Sequence, residues 1–281
     1  MKERKIIAEI GINHNGSIES AKTMALIAKE AGADFVKLQK RDISSCYSIE
    51  ELREPCKSPW GSTVEAKVRG RELSWDEVSD FARFCEKNEI GWSASCFDAK
   101  SFKELQSYEP AFNKVPSGLA IHRDYLQMVA KAKRLTLIST GLLGSMDEII
   151  SAAEIFEDAG CEYVINHCVA LYPCPEERLN LRVIPRLIDT FLYGDMAHCS
   201  AIGYSGHEVG ILPTVIAAQF GAIWIERHFT LDRAWYGADQ SASLEPQGLH
   251  RLVRDIRSLS LLQGDSLKLK GDEKIPVSWK P

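Results

Sequence analysis

The chain contains no Cys-x-x-Cys pair, no apolar run approaching the roughly 20 residues of a membrane span, and no dense cluster of lysine or arginine. Each absence closes a class. Without paired cysteines, Cys46, Cys56, Cys85, Cys96, Cys161, Cys168, Cys174 and Cys199 do not read as a structural zinc site. Thiols in a reducing compartment account for them better than disulfides do. A formal net charge of −5 argues against a general nucleic-acid binder. The opening Met1-Lys2-Glu3-Arg4-Lys5 lacks the apolar segment of a secretory leader and runs straight into the first strand. A cytoplasmic protein without a membrane partner is therefore expected. No Gly-x-Gly-x-x-Gly follows that strand, which disfavours a doubly wound dinucleotide fold.

What is present is a soluble globular composition of 281 residues, 45% hydrophobic and 26% charged, long enough to bury a large core. Short apolar runs alternate with amphipathic ones. Strands are expected at 5–10, 34–39, 90–95, 112–117, 135–140, 163–168, 201–206 and 222–228. Helices are expected at 18–31, 74–87, 99–106, 123–132, 146–159, 185–193, 209–220 and 246–262. Gly32, Gly160 and Gly221 each stand where a helix would stop before the next strand. Eight βα units in one alternation predict an α/β fold, a single (β/α)8 TIM barrel over residues 1–263, with a loosely packed tail at 264–281. Residues 40–73 break the rhythm. This long, charged, proline-containing loop leaves the second strand on the active-site face, where it could cover a substrate.

The first strand, Ile6 to Ile10, ends in Gly11-Ile12-Asn13-His14-Asn15-Gly16, a polar and sharply turning knot. Glu9 lies within the apolar run, where a carboxylate is costly unless paired. The other strands also deliver polar groups at their C-terminal ends. Lys37 and Lys114 lie inside strands, with Ser95, Ser117, Ser139, Thr140 and Ser205 alongside, which suits a phosphate or carboxylate dianion. One of these lysines could instead form a Schiff base, as in aldolases of this fold. His207 and His228 end adjacent strands, so two neutral imidazoles could share a divalent ion with open positions. Cys168 reads as a buried free thiol. Asp239 could bond a polyhydroxylated ligand or cap the helix near Pro246.

Taken in order, Glu9 to Gly16, Lys37-Leu38-Gln39, Lys114 with Ser117-Gly118, Ser139-Thr140-Gly141, His167-Cys168 with Tyr172-Pro173, Gly203 to His207, Glu226 to Phe229 and Gly237-Ala238-Asp239 resemble the sialic acid synthase (N-acylneuraminate synthase) family. The resemblance spans about residues 5 to 262. It implies a barrel transferase that condenses phosphoenolpyruvate with an N-acylated amino sugar, giving a 2-ulosonic acid and phosphate. In that family a divalent cation, manganese or magnesium, sits on the histidines matching His207 and His228 and polarises the sugar aldehyde. Lys37, Ser95, Lys114, Ser117, Gly118, Ser139 and Ser205 would hold phosphoenolpyruvate, with Gln39 near its carboxylate. Tyr172 and Asp239 would face the sugar, and Glu9 would serve the sugar or the metal's surroundings.

Four positions depart from the family pattern. Leu119 stands where a carboxylate is usual, Gly206 where an Asp is common, Ala170 where a polar residue often occurs, and Gln240 where His is frequent. Many members also carry a C-terminal antifreeze-like domain that reaches into a partner's site. The 281 residues hold no such segment, so a homodimer or a separate accessory protein is expected to complete the site. Two other readings stand beside the synthase: a Schiff-base aldolase using Lys37 or Lys114, and a non-catalytic sugar- or metabolite-binding relative.

Overall fold

The computed structural model describes residues 3–264; the tail expected over 264–281 lies, after Gly264, outside them. Eight parallel strands close into a barrel: β1 (Lys5–Gly11), β2 (Phe35–Lys40), β3 (Gly91–Cys96), β4 (Asn113–Val115), β5 (Thr136–Ser139), β6 (Tyr163–Cys168), β7 (Cys199–Gly206) and β8 (Trp224–His228). Their order around the barrel is the order in sequence, with β8 pairing back to β1. The expected strands agree with these to within two residues at either end, and the eight expected helices to within three.

Helix starts follow from side-chain caps. Ser17 accepts from the Ser20 amide ahead of Ile18–Glu30, and Ser74 forms a capping box with Glu77 ahead of Trp75–Lys87. Ser145 accepts from the Glu148 amide ahead of Met146–Ala159, and that helix stops at Gly160 in the left-handed conformation.

The interior is layered by the two-residue period of the strands. Ile7, Phe35, Phe112, Leu137, Val164, Ala201 and Trp224 pack together as an apolar floor. Phe35 meets Phe112 edge-on at 5.3 Å and stacks on Trp224 at 5.5 Å. Two residues further along, the same strands place Glu9, Lys37, Lys114, Ser139, Asn166, Gly203 and Glu226 in one polar layer. The alternate residues, including Ile6, Ala8, Ile10, Val36, Leu38, Ile138 and Ile165, face the helices in the main core.

Residues 41–73 are not the bare loop that their composition suggests. They hold the short helices Ile43–Cys46, Ile49–Arg53 and Val64–Arg71 and a hairpin pairing Pro55–Ser58 with Gly61–Thr63. Tertiary docking overrides their polar, proline-bearing sequence. Lys40 pairs with Glu72 at 2.8 Å, and the Trp60 ring meets Tyr236 at 5.6 Å. Gly16, with φ of 79°, lies so close that an added Cβ would stand 2.0 Å from the Gly70 carbonyl oxygen.

Gly16→Ala should therefore cost at least about 2 kcal/mol. Gly210→Ala, at φ of 85° with open space around it, should cost only about 1 kcal/mol. Urea denaturation of the two variants checks the ranking.

Candidate active site

The polar layer is a chain of buried charges. Lys37 Nζ stands 2.6 Å from Glu9 Oε2, donates to Ser95 Oγ at 2.8 Å and lies 3.7 Å from Glu226 Oε1. Lys114 Nζ donates to Ser139 Oγ at 2.6 Å and to the same Glu226 oxygen at 3.4 Å. Ser205 Oγ donates to Glu226 Oε1 at 3.1 Å. Register explains the meeting: Glu9 pairs with Lys37 across β1 and β2, Ser95 with Lys114 across β3 and β4, and Ser205 with Glu226 across β7 and β8.

Two ammonium groups thus share two carboxylates. Burial pushes Glu9 up to about 7, against the pull of Lys37 and with the help of Glu226. Burial would raise Glu226 as well, but Lys114 and then Lys37 reverse that and hold it below the usual carboxylate range. Burial alone would lower Lys37, yet Glu226 and Glu9 raise it. A Schiff-base lysine must shed its proton, which this arrangement opposes at Lys37.

The imidazoles stand above this layer. His207 and His228 have ring centroids 5.3 Å apart, and Tyr172 lies 4.0 Å from the His207 ring and 5.7 Å from that of His228. Burial first, helped at His207 by His228, pushes both histidines down to about 3, so both rings are neutral. His207 Nδ1 donates to the Val169 carbonyl at 2.9 Å, which leaves the lone pair of the neutral ring on Nε2. His228 Nδ1 is buried without a hydrogen-bond partner and lies 3.7 Å from Asp239 Oδ2. Gln39 donates to Glu9 Oε1 at 3.1 Å and to Asp239 Oδ2 at 3.5 Å, and accepts from Arg41 at 2.6 Å.

Among the described residues, no group of three or more His, Cys, Asp or Glu side chains forms a ready-made metal cage. The donor set still fits a divalent ion held by two imidazoles. Both rings are neutral, and one buried nitrogen lacks a partner.

Of the residues read from the sequence, Glu9, Lys37, Gln39, Ser95, Lys114, Ser139, Ser205, His207, His228, Tyr172 and Asp239 come together. Ser117 lies at the edge, accepting from the Gly141 amide at 3.1 Å beside Cys168. Gly118 is exposed with nothing within 4 Å of an added Cβ, so no packing demands glycine there. Sequence reasoning missed Glu226 as a site residue. Its signal was the spacing: two positions before His228 on one strand, it faces the same way. His167 points outward and bonds the Leu179 carbonyl at 2.7 Å. Asn13 ties the first turn to Phe229 and Ser243 at 2.9 and 2.8 Å. None of the eight cysteines is in a disulfide.

The departing residues have structural placements. Gln240 is buried, and its side-chain amide donates to the Asn13 carbonyl at 3.4 Å, joining the loop after β8 to the turn after β1. Leu119 packs against the core and borders an outer groove with Phe97 and Tyr125. A Cβ at Gly206 would stand 2.5 Å from Glu208 Oε2 and 2.6 Å from Tyr204 Cε1, so a side chain has no room there.

A parallel barrel with its polar interior and paired imidazoles at the C-terminal ends of the strands defines a TIM-barrel enzyme site. The NeuB family model matches residues 24–268, and the chain belongs to that family. It is 38% identical over 265 residues to the N-acetylneuraminate-9-phosphate synthase of Homo sapiens, covering 94% of this chain and 72% of that protein. It is 33% identical over 274 residues to the N,N'-diacetyllegionaminic acid synthase of Campylobacter jejuni, covering 95% and 80%. The solved N-acetylneuraminic acid (sialic acid) synthetase of Leptospira borgpetersenii superposes with a TM-score of 0.83 at 27% identity, over 96% of this chain and 88% of that one.

Glu226→Gln removes the charge that separates Lys37 from Lys114 and should cost about 3–5 kcal/mol of stability. Inorganic phosphate, supplying the lost negative charge, should raise the melting temperature of this variant more than that of the wild type. Calorimetric scans with and without the anion measure both effects.

Proposed function

We propose that this chain is a phosphoenolpyruvate-dependent synthase that condenses phosphoenolpyruvate with an N-acylated amino sugar or related aldose, forming a sialic-acid-like 2-ulosonic acid and phosphate. The observation that carries this reading is the pair of buried lysines, with their serine partners, directly beneath two neutral imidazoles. Membership of the NeuB family favours it over the aldolase and the non-catalytic binder.

In this reading C3 of phosphoenolpyruvate attacks the aldehyde carbon of the open-chain sugar, water adds at C2, and phosphate leaves with its bridging oxygen. Lys37 and Lys114 hold the anionic groups, and Ser95, Ser139 and Ser205 orient them. Glu226 fixes the spacing of the two ammonium groups. Ser117 and Gly118 bound the phosphoenolpyruvate side, and Gln39 lies near the carboxylate. Tyr172 and Asp239 face the sugar. Glu9, whose carboxyl is raised, can carry a proton beside Lys37 at neutral pH. His207 and His228 would hold a divalent ion, manganese or magnesium, which when bound supplies Lewis acidity toward the aldehyde oxygen.

We propose further that the site is completed in a homodimer or by a separate accessory protein. Exposed Ile121, Leu142, Leu171 and Val209 on the loops around the barrel mouth, with Leu212 at the start of the next helix, support a covering partner. The free thiols support a cytoplasmic location. No helix among the described residues is long and apolar enough to cross a membrane.

Purified protein given phosphoenolpyruvate, manganese and a panel of N-acyl hexosamines and other aldoses should release phosphate only when an acceptor is present. His207→Ala should abolish that release, and borohydride with pyruvate should trap no adduct. A trapped pyruvate adduct, or turnover undiminished in His207→Ala, would overturn the assignment.

A further inference from the structure

Behind the two imidazoles lies a second buried cluster that takes no part in the chemistry above. Arg227 stands between Glu226 and His228, so strand alternation sends its side chain away from the mouth. It is 1% exposed, yet its guanidinium is engaged at both terminal nitrogens. Nη1 donates to Glu208 Oε1 at 2.9 Å, to the Gly210 carbonyl at 2.8 Å and to Thr214 Oγ1 at 2.8 Å. Nη2 donates to the Glu208 carbonyl at 2.6 Å. Glu208, also buried, accepts from the Tyr204 hydroxyl at 2.9 Å and from the Thr214 hydroxyl.

These residues border the imidazoles in sequence. Glu208 follows His207 and Arg227 precedes His228, so the ion pair joins the ends of β7 and β8 from behind. The same segment holds Tyr172: the Cys174 amide donates to the His207 carbonyl at 2.9 Å, and Cys174 bridges to Glu208. Gly206 belongs to the same device, because a Cβ there would collide with Glu208, Tyr204 and Arg227. The absence of a side chain at 206 is what lets the carboxylate and guanidinium meet.

We propose that the Arg227–Glu208 pair is a positioning clamp that sets the separation and tilt of His207 and His228 and seats Tyr172 against them. The proposal rests on the reading of the two imidazoles as working groups of the site. Stability alone is a weak reason for such a pair, because burying two charges costs desolvation, and well-packed apolar residues of similar volume often do as well. Geometry is the stronger reason. A guanidinium making four bonds to three residues, two of them at backbone carbonyls, fixes strand ends in a way that apolar packing does not. Groups that orient metal-binding imidazoles change metal affinity by about ten- to a hundredfold when removed.

The test uses two variants of the whole chain. Arg227→Lys keeps the charge but loses the fork. The double variant Glu208→Leu/Arg227→Met removes both charges at similar volume. Each is followed by thermal unfolding, by manganese titration calorimetry, and by nitrogen-proton NMR of the histidine rings without metal. At least one variant should unfold near the wild-type temperature while binding manganese at least tenfold more weakly, with shifted His207 and His228 ring signals. The KM for the sugar should rise more than that for phosphoenolpyruvate. Folded variants with wild-type manganese affinity and unmoved ring signals would overturn the clamp. So would failure of both variants to fold, since the pair would then be a stability element. If the wild type itself binds no manganese, the metal reading fails, and the ring signals alone decide the clamp.

Discussion

The site depends on one carboxylate, Glu226, held between two buried lysines. Two ammonium groups in an apolar barrel would repel each other and would be poorly solvated. Glu226 Oε1 lies within 3.7 Å of Lys37 and 3.4 Å of Lys114, and it is this contact that lets both cations exist in one layer. Glu9 carries a smaller share, because Lys37 is divided between two carboxylates while Lys114 leans on Glu226. The result is a layer that holds two ammonium groups and remains neutral enough to fold.

The rest of the architecture serves this layer. The floor of Phe35, Phe112 and Trp224 closes the bottom of the barrel, so polar groups face only the mouth. Above it, burial keeps His207 and His228 neutral, which imidazoles must be if they are to bind a cation. The segment 41–73 folds over the loops after β1 and β8, where Arg41, Gln39 and Asp239 form a connected polar edge. The charged layer, the paired imidazoles and this polar edge are thus stacked along the barrel axis.

Much of this was legible from the residues in order. The strands announced themselves as apolar runs closed by glycine-marked helix ends, and Lys37 and Lys114 stood out because a charge inside a strand needs an explanation. His207 and His228 were visible as adjacent strand ends. Glu226 was not singled out because it sat in the triple Glu226-Arg227-His228, although strand alternation alone turns the outer two inward and Arg227 toward the helices. His167 was similarly grouped with Cys168, though it points the other way. Residues 41–73 misled because their fold comes from docking on Tyr236 and Gly16, which composition cannot display. Gly118 entered by resemblance alone, and no contact singles it out.

In the proposed function Lys37 and Lys114 form the seat for the anionic substrate. Titration calorimetry of phosphoenolpyruvate into the wild type, Lys37→Met and Lys114→Met tests it most directly, with circular dichroism confirming that each variant is folded. Saturable binding to the wild type is expected, weakened at least tenfold in each folded variant, as loss of a charged hydrogen-bond donor requires. Equal affinity in all three proteins would contradict it.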